Sequence, residues 1–205
     1  MFATFEGIDG SGKSTVAKIA AEKLGYVLTA EPTEGPIGME LRMATERGDG
    51  CIVEALLFTA DRYTHTERIK KWLSEGKGVI SDRYFHSTIA YQLAELQQRA
   101  ERNGEGWNDE IKREWREWLV EINRPASITP DITILIDIDV ETALARAGGR
   151  GQLSNFEKKE LLELVRKNYL ELADDGRWNI KVIDGAETVE KVAEAAIREI
   201  ERAKQ

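Results

Sequence analysis

The sequence is poor in the residues that mark disulfide-stapled, cysteine-metal and membrane-spanning proteins. Cys51 is the only cysteine among 205 residues, which excludes an intrachain disulfide and a cysteine metal cluster and favours a small buried side chain over a nucleophile. No apolar run is long enough to cross a bilayer, and the N-terminus is typical of a strand and not of a signal peptide. We therefore expect a cytoplasmic protein with no membrane contact.

Basic charge is also scarce. Lysine and arginine total 29 against 37 aspartates and glutamates, so the net charge is -8 and gives no support for nucleic-acid binding. The chain shows no internal repeat, low-complexity segment or linker. Its length suits one α/β domain with a full core, so residues 1–205 are expected to form a single domain.

What the sequence does contain is a phosphate-binding loop near its start. The stretch Gly7–Ser14 has the pattern G-x-x-x-x-G-K-S, between an apolar segment and a helical pattern. Glycines let such a loop curl, so that its N–H groups and the helix N-terminus point at a phosphate. Lys13 would reach the β and γ phosphates of a nucleoside triphosphate, and Ser14 would hold magnesium. The alternative is a glycine-rich turn with an exposed lysine.

Short apolar segments alternate with helical patterns along the chain. Strands are predicted at Phe2–Phe5, Tyr26–Thr29, Gly78–Ser81, Ile132–Ile138 and Ile180–Ile183, and long helices at Ile52–Leu73 and Thr188–Ala203. The alternation predicts a P-loop NTPase fold, with a five-stranded parallel sheet flanked by helices in a three-layer α/β/α arrangement. Ligands of such sheets bind at the carboxyl ends of the strands.

Two groups of residues are candidates for ligand binding. Asp82 ends the third predicted strand, where a carboxylate would meet magnesium, and Arg83 would face a second phosphate; a purely structural pair is the alternative. Phe58 and Arg62 share a helix face and could bind a flat base, although spacing alone favours a core phenylalanine and a surface ion pair. Tyr91 and Gln92 could line a base pocket or merely pack.

Several stretches together resemble the thymidylate kinase family. They are Glu6–Thr15, Leu57–Arg62, Asp82–Tyr84 with Ser87 and Ala90–Gln92, and later pieces such as Pro130–Asp137, Tyr169–Ala173 and Ile183–Gly185. The resemblance covers nearly the whole chain in order and with compatible spacing. Only the phosphate loop is specific by itself.

The resemblance implies transfer of the γ-phosphoryl group of ATP to thymidine monophosphate (dTMP), giving dTDP on the way to dTTP. It assigns ATP to Gly7, Ile8, Asp9, Gly10, Ser11, Gly12, Lys13, Ser14 and Thr15. The acceptor would be bound by Asp9, Phe58, Arg62, Arg83, Ser87, Tyr91 and Gln92, with Phe58 on thymine, Arg62 at its edge and Tyr91 over the sugar. Magnesium would be held by Ser14 and Asp82. The family also implies a homodimer.

The remaining catalytic cation is predicted in a lid. Some family members carry an arginine directly after the loop aspartate, where this chain has Gly10, and the others draw one from a mobile lid. The stretch at about 147–155 resembles that lid, and we predict that Arg150 swings over the phosphates and acts with Asp9, Lys13 and Arg83. The alternative is a solvated arginine in a loose loop.

Two departures affect the loop after the second strand. Ala30 and Thr33 stand where the family commonly has the arginine and glycine of Arg-Glu-Pro-Gly. An arginine contact to the acceptor would therefore be missing or would come from Arg42.

Other functions stay open on the sequence alone. The chain could be a kinase of another small molecule or a catalytically silent nucleotide-binding module. A GTPase switch would require an Asn-Lys-x-Asp guanine reader, and the sequence contains no such tetrad.

Overall fold

Five parallel strands form the centre of the fold in the computed structural model, which describes residues 1–147 and 152–204. The strands are β1 (Phe2–Glu6), β2 (Val27–Ala30), β3 (Val79–Asp82), β4 (Ile132–Asp137) and β5 (Ile180–Asp184). Their order is β2-β3-β1-β4-β5, and every pairing is parallel. The predicted five-stranded sheet is confirmed, and each predicted strand end lies within one residue of the observed one.

Helices connect the strands and cover both faces of the sheet. They are α1 (Lys13–Leu24), α2 (Pro36–Arg47), α3 (Cys51–Ser74), α4 (Phe85–Asn103), α5 (Asp109–Asn123), α6 (Val140–Arg146), α7 (Gln152–Asp174) and α8 (Val189–Arg202). The two long helices predicted from sequence, now α3 and α8, are confirmed. No helix of the described ranges is both long and apolar enough to cross a bilayer.

The core has two halves because the sheet is buried on both faces. Along β1, Phe2 packs into one half with side chains of α3, α4 and α7, whereas Ala3 and Phe5 pack into the other half with α1 and α8. Successive side chains of a strand point to opposite faces, so a strand covered on both sides has apolar residues facing both ways. The three-layer arrangement follows from this packing.

The carboxyl ends of the strands bring polar residues to one edge of the sheet. Phe5 pairs with Asp82 across β1 and β3, and Ala30 pairs with Asp82 across β2 and β3. The next residues, Glu6 and Glu31, therefore lie beside Asp82 at the edge where the phosphate loop leaves β1.

Candidate active site

The phosphate loop joins β1 to α1 and presents an anion-binding helix end. Gly10 and Gly12 both have a φ of +87°, which side chains rarely adopt. Helix α1 begins at Lys13 with no side-chain cap among the described residues. Its first N–H groups and the positive end of its dipole can therefore bind a phosphate.

Close packing requires glycine at two loop positions. A Cβ atom on Gly10 would lie 2.1 Å from the Ala143 carbonyl oxygen of α6, and one on Gly7 would lie 2.7 Å from the Ile136 oxygen. Gly12 has open space at the same point. The contact with Ala143 gives a steric reason for the absence of an arginine after Asp9, because no side chain fits there without a shift of the loop or of α6.

Lys13 and Asp82 lie together under the loop. The Lys13 Nζ is 3.7 Å from Asp82 Oδ1, with side-chain exposures of 11% and 18%. Burial lowers the pKa of Lys13, and the negative charge of Asp82 opposes that effect in part. The Asp82 Oδ1 atom is buried and has no hydrogen-bond partner among the described residues. A buried carboxylate oxygen with spare lone pairs is the type of ligand that magnesium prefers, so the site fits this ion.

Arg83 points from the end of β3 toward the loop. Its backbone has a φ of +70°, the only positive value among the described non-glycine residues. Its guanidinium donates to Asp9 Oδ1 at 2.5 Å, Ser87 Oγ at 2.9 Å and the Tyr91 hydroxyl at 3.2 Å, and lies 4.9 Å from the centre of the Tyr91 ring. The described residues show no ion pair between Asp82 and Arg83, which was the alternative to a functional role. A backbone in a rarely populated conformation at such a point is typical of a functional residue.

A cavity of about 290 Å³ opens beside Arg83. Its lining includes six of the seven predicted acceptor residues, namely Asp9, Phe58, Arg83, Ser87, Tyr91 and Gln92. The remaining lining residues were not predicted from sequence: Glu31, Pro32, Thr45, Glu54 and Glu95. The structure therefore gathers these side chains from the phosphate loop, the loop after β2, the segment between β3 and α4, and helices α2, α3 and α4.

Arg62, the seventh predicted acceptor residue, does not line this cavity. It is 1% exposed, so the sequence-based alternative of a surface ion pair is wrong. Its Nε and Nη2 donate to Glu31 Oε2 at 2.8 and 2.6 Å, Nη2 also donates to Thr88, and Nη1 donates to Asn123. The contact of Arg62 with the base edge stays a prediction. The described residues already accept hydrogen bonds from four of the five N–H groups of this guanidinium, so one N–H group is left for that contact.

Helix α3 also fixes the loop after β2. Asp61 accepts hydrogen bonds from the Thr33 backbone at 2.7 Å and from the Thr33 hydroxyl at 2.6 Å. Arg42 donates to the Thr33 and Pro32 carbonyls at 2.9 Å each and to Glu34. In this structure Arg42 therefore holds the loop and does not face the cavity, while Thr33 provides an anchor that a glycine could not.

Glu6 and Tyr169 are part of the site that sequence reasoning missed. The fully buried Glu6 carboxylate accepts from the backbones of Tyr84 and Ser87 at 2.9 and 3.3 Å, and thus caps α4. It also accepts from the Ser87 hydroxyl at 2.5 Å and the Tyr169 hydroxyl at 2.9 Å. Burial raises the pKa of Glu6 against these hydrogen bonds. The network supports Arg83, which also donates to Ser87 and Tyr169.

The predicted lid falls only partly within the described residues. Arg146 is the last residue of α6 and donates to the Gly185 carbonyl at 3.0 Å. Arg150 and the glycines around it lie outside the described residues. Helix α7 begins at Gln152, so the final part of the predicted lid is helical and not loop.

Comparison with known proteins gives consistent matches over the chain. The family model described as thymidylate kinase matches residues 5–196. A probable thymidylate kinase of Thermococcus kodakarensis is 42% identical, with 98% of this chain and 97% of that protein covered. Probable thymidylate kinases of Methanococcoides burtonii and Methanosarcina mazei are each 38% identical, with 96% of this chain covered and 94% and 93% of those proteins.

Proposed function

The chain belongs to the thymidylate kinase family, and we propose that it transfers the γ-phosphoryl group of ATP to dTMP in nucleotide biosynthesis. The observation that carries this proposal is the meeting of two sites at one ion pair. Asp9 belongs to the phosphate loop, Arg83 lines the cavity beside it, and their side chains are 2.5 Å apart. A phosphoryl group on the loop would therefore lie next to an acceptor in the cavity.

On the donor side, the phosphate loop and Lys13 would bind ATP. The N–H groups of Gly7 to Thr15 would surround the phosphates, and Lys13 would neutralise the β and γ oxygens. The partial burial of Lys13 strengthens its interaction with an anion, because water screens the charge less.

On the acceptor side, the order of residues along α4 supports the assigned roles. Arg83 lies just before α4 and Ser87 lies in its first turn, where both would hold the dTMP phosphate. Tyr91 and Gln92 lie about one turn beyond Ser87 and would meet the sugar and base. Phe58 reaches the same cavity from α3 and would stack on thymine. The contact of Arg62 with the thymine edge remains part of the proposal, and Arg62 also holds Glu31 in place.

Magnesium would be held by Ser14 and Asp82, directly or through water. The unpartnered Asp82 Oδ1 supports this assignment. When bound, the ion neutralises charge on the oxygens of the β and γ phosphates. Lys13 and Arg83 supply the protein's own share of that neutralisation from fixed positions, which need no reorganisation during the reaction.

Phosphoryl transfer needs alignment more than proton chemistry. The bond between the γ phosphorus and the β–γ bridging oxygen of ATP breaks, and a bond forms to a phosphate oxygen of dTMP. That acceptor oxygen is already ionised near neutral pH, so no strong general base is required. The chain's residues therefore position the two substrates and balance their charge.

We also propose that Arg150 is the mobile cation of the reaction and belongs to a lid at about 147–155. Residues 1–205 would form a single domain.

We also propose a homodimer that uses the outer faces of α2 and α3. Six of the eight exposed large hydrophobic side chains among the described residues lie there: Met39, Met43, Ile52, Val53, Leu56 and Tyr63. Exposed apolar groups concentrated on adjoining elements are typical of an interface.

We propose a cytoplasmic location, because a kinase of ATP and dTMP must lie where both nucleotides are available.

Product analysis tests the proposed reaction. The protein is incubated with ATP, magnesium and dTMP, and nucleotides are separated by chromatography. We expect dTDP and ADP in equal amounts. ADP without dTDP would contradict the proposal, because it would show hydrolysis and not transfer.

Sedimentation of the wild type and of Leu56→Glu tests the homodimer, which predicts a lower mass for the variant.

A further inference from the structure

Two carboxylates belong to the lining of the acceptor cavity. Glu54 of α3 and Glu95 of α4 both line it together with Phe58 and Gln92. Glu54 is 8% exposed and Glu95 is partly buried. Neither makes an ion pair with a lysine or arginine within the described part of the chain. Buried carboxylates without a cation are costly, so their presence here requires a physical account.

The position of the pair corresponds to the distal edge of a bound base. Ser87, Tyr91 and Glu95 occupy successive turns of α4, so Glu95 lies about 12 Å along the helix from Ser87 at a rise of about 1.5 Å per residue. Glu54 precedes Phe58 by one turn of α3. An acceptor with its phosphate at Arg83 and its base on Phe58 would thus point its far edge at the two carboxylates.

This end of the cavity is rich in hydrogen-bond acceptors. The Gln92 side chain is 2% exposed, and its Oε1 has no partner among the described residues. The donor expected at the base edge, Arg62, is bonded to Glu31, Thr88 and Asn123. The surface formed by Gln92, Glu54 and Glu95 therefore complements a base edge that carries N–H donors, unless one of the carboxyl groups holds a proton.

Burial disfavours the charged form of both carboxyl groups. Burial, followed by the charge of Glu54, raises the pKa of Glu95 to about 7. Burial also raises the pKa of Glu54, against a hydrogen bond with Thr45 that lowers it, and the charge of Asp49 adds to the rise. On the opposite side of Glu95 a groove is lined by Cys51 of α3 and by Arg99 and Arg102 of α4. The other charged residues of the cavity lining are Asp9, Glu31 and Arg83.

We propose that Glu95, paired with Glu54, is a specificity-determining residue that reads the distal edge of the acceptor base in two protonation states. The carboxylic acid donates to a carbonyl oxygen such as thymine O4, and the carboxylate accepts from an exocyclic amine. The inference rests on the proposed function and adds a second acceptor class, pyrimidine monophosphates with an exocyclic amine, of which dCMP is the simplest. The reaction on dCMP is the same transfer, with the β–γ bond of ATP broken and a bond to the acceptor phosphate formed.

The test is the ratio of kcat/KM for dCMP to kcat/KM for dTMP, measured one pH unit below and one above the Glu95 pKa of about 7. Ionisation of ATP and of the acceptor phosphate affects both substrates and cancels in the ratio. We expect the ratio to rise by up to about 100-fold, because the ratio of carboxylate to carboxylic acid changes tenfold per pH unit and the two measurements are two units apart. Glu95→Gln, which cannot titrate, should remove this dependence. Glu101→Gln is the matched control on the exposed part of α4, and it should keep the wild-type dependence.

A ratio that does not change with pH in the wild-type protein would overturn the inference, whether or not the Glu95→Gln variant folds. So would an unchanged pH dependence in a folded Glu95→Gln protein, or dTMP turnover with no detectable turnover of dCMP at either pH. Failure of the proposed function is distinguishable, since it would appear as no turnover of dTMP in the wild type.

Discussion

The Arg83 guanidinium bonds Asp9 Oδ1 at 2.5 Å and so ties the end of β3 to the phosphate loop. The Asp9 backbone N–H donates to the Tyr91 hydroxyl at 3.2 Å, which closes the same junction from the side of α4. Asp9 is more than half exposed, whereas Arg83 is 15% exposed. An incoming acceptor phosphate would therefore compete with a solvated carboxylate for a cation that the fold holds in place.

Arg83→Lys should lower kcat/KM for dTMP by about 10²- to 10³-fold, because an ammonium cannot reproduce the planar fork that binds a phosphate through two N–H groups. ATP affinity should change much less, since Arg83 lies on the acceptor side. Steady-state kinetics and calorimetric titration with ATP check the two expectations. A variant with unchanged kcat/KM would show that Arg83 does not bind the acceptor phosphate.

Two alanine substitutions in the phosphate loop should differ in their effect on stability. Gly10→Ala and Gly12→Ala place a side chain at the same φ of +87°, but only Gly10 faces a backbone oxygen at 2.1 Å. We expect Gly12→Ala to cost about 1 kcal/mol and Gly10→Ala about 2–4 kcal/mol, because the latter must also displace α6 or the loop. Urea unfolding measures both. Equal losses would contradict the close packing against Ala143.

Acid should destabilise the protein in part through His86. This histidine is 0% exposed, packs against Phe85 with ring centroids 4.0 Å apart, and has no hydrogen-bond partner for either ring nitrogen among the described residues. Its Nδ1 lies 4.0 Å from Glu6 Oε1, which is too far for a hydrogen bond. Burial, and then the charge of Arg62, lowers its pKa from the ordinary 6.5 to about 3. The unfolded chain therefore takes up a proton below 6.5 that the folded protein does not, so stability falls as pH decreases from 6.5 toward 3.

His86→Leu should remove that dependence, which amounts to at most about 1.4 kcal/mol per pH unit. The free energy of unfolding of both proteins, measured at several pH values below neutrality, gives the difference. It should shift in favour of the variant as pH falls. A difference that is constant with pH would mean that His86 becomes protonated in the folded protein.

Arg150→Ala should lower kcat by about 10²-fold or more, with a smaller effect on KM, if this cation acts mainly on charge that develops in the transition state. Lys158→Ala, at an exposed position of α7, is the control and should retain the parent turnover. Turnover of Arg150→Ala equal to that of the parent would contradict the proposed role of Arg150.

The sequence was sufficient for the sheet and the loop because both depend on local patterns. Each strand is a short apolar run, and the phosphate loop is a contiguous motif between a strand and a helix. The acceptor cavity is different, because its walls come from residues far apart in the chain. The family resemblance supplied Phe58 and Gln92, but no local pattern indicates that Glu54 and Glu95 line the same cavity.

Glu6 and Arg62 show two different limits of prediction from the sequence. Glu6 ends a buried strand as Asp82 does, so the argument applied to Asp82 would have identified it as a carboxylate in need of partners. Arg62 could not be placed from its helix face, because its partner Glu31 lies after β2 and meets it only in the folded chain. Spacing reveals which face a residue shares, but not which distant group it bonds.

The most direct test of the proposed function is an ADP-release assay with ATP, magnesium and a panel of acceptors: the monophosphates of thymidine, deoxyuridine, deoxycytidine, adenosine and guanosine, with thymidine itself as the control that lacks a phosphate. At a pH one unit below the Glu95 pKa of about 7, we predict that dTMP gives the highest kcat/KM and that thymidine gives no release above background. Phe58→Ala should reduce the rate with dTMP while leaving ATP affinity unchanged. Absence of acceptor-dependent ADP release from a folded, ATP-binding protein would contradict the account and leave only a nucleotide-binding phosphate loop.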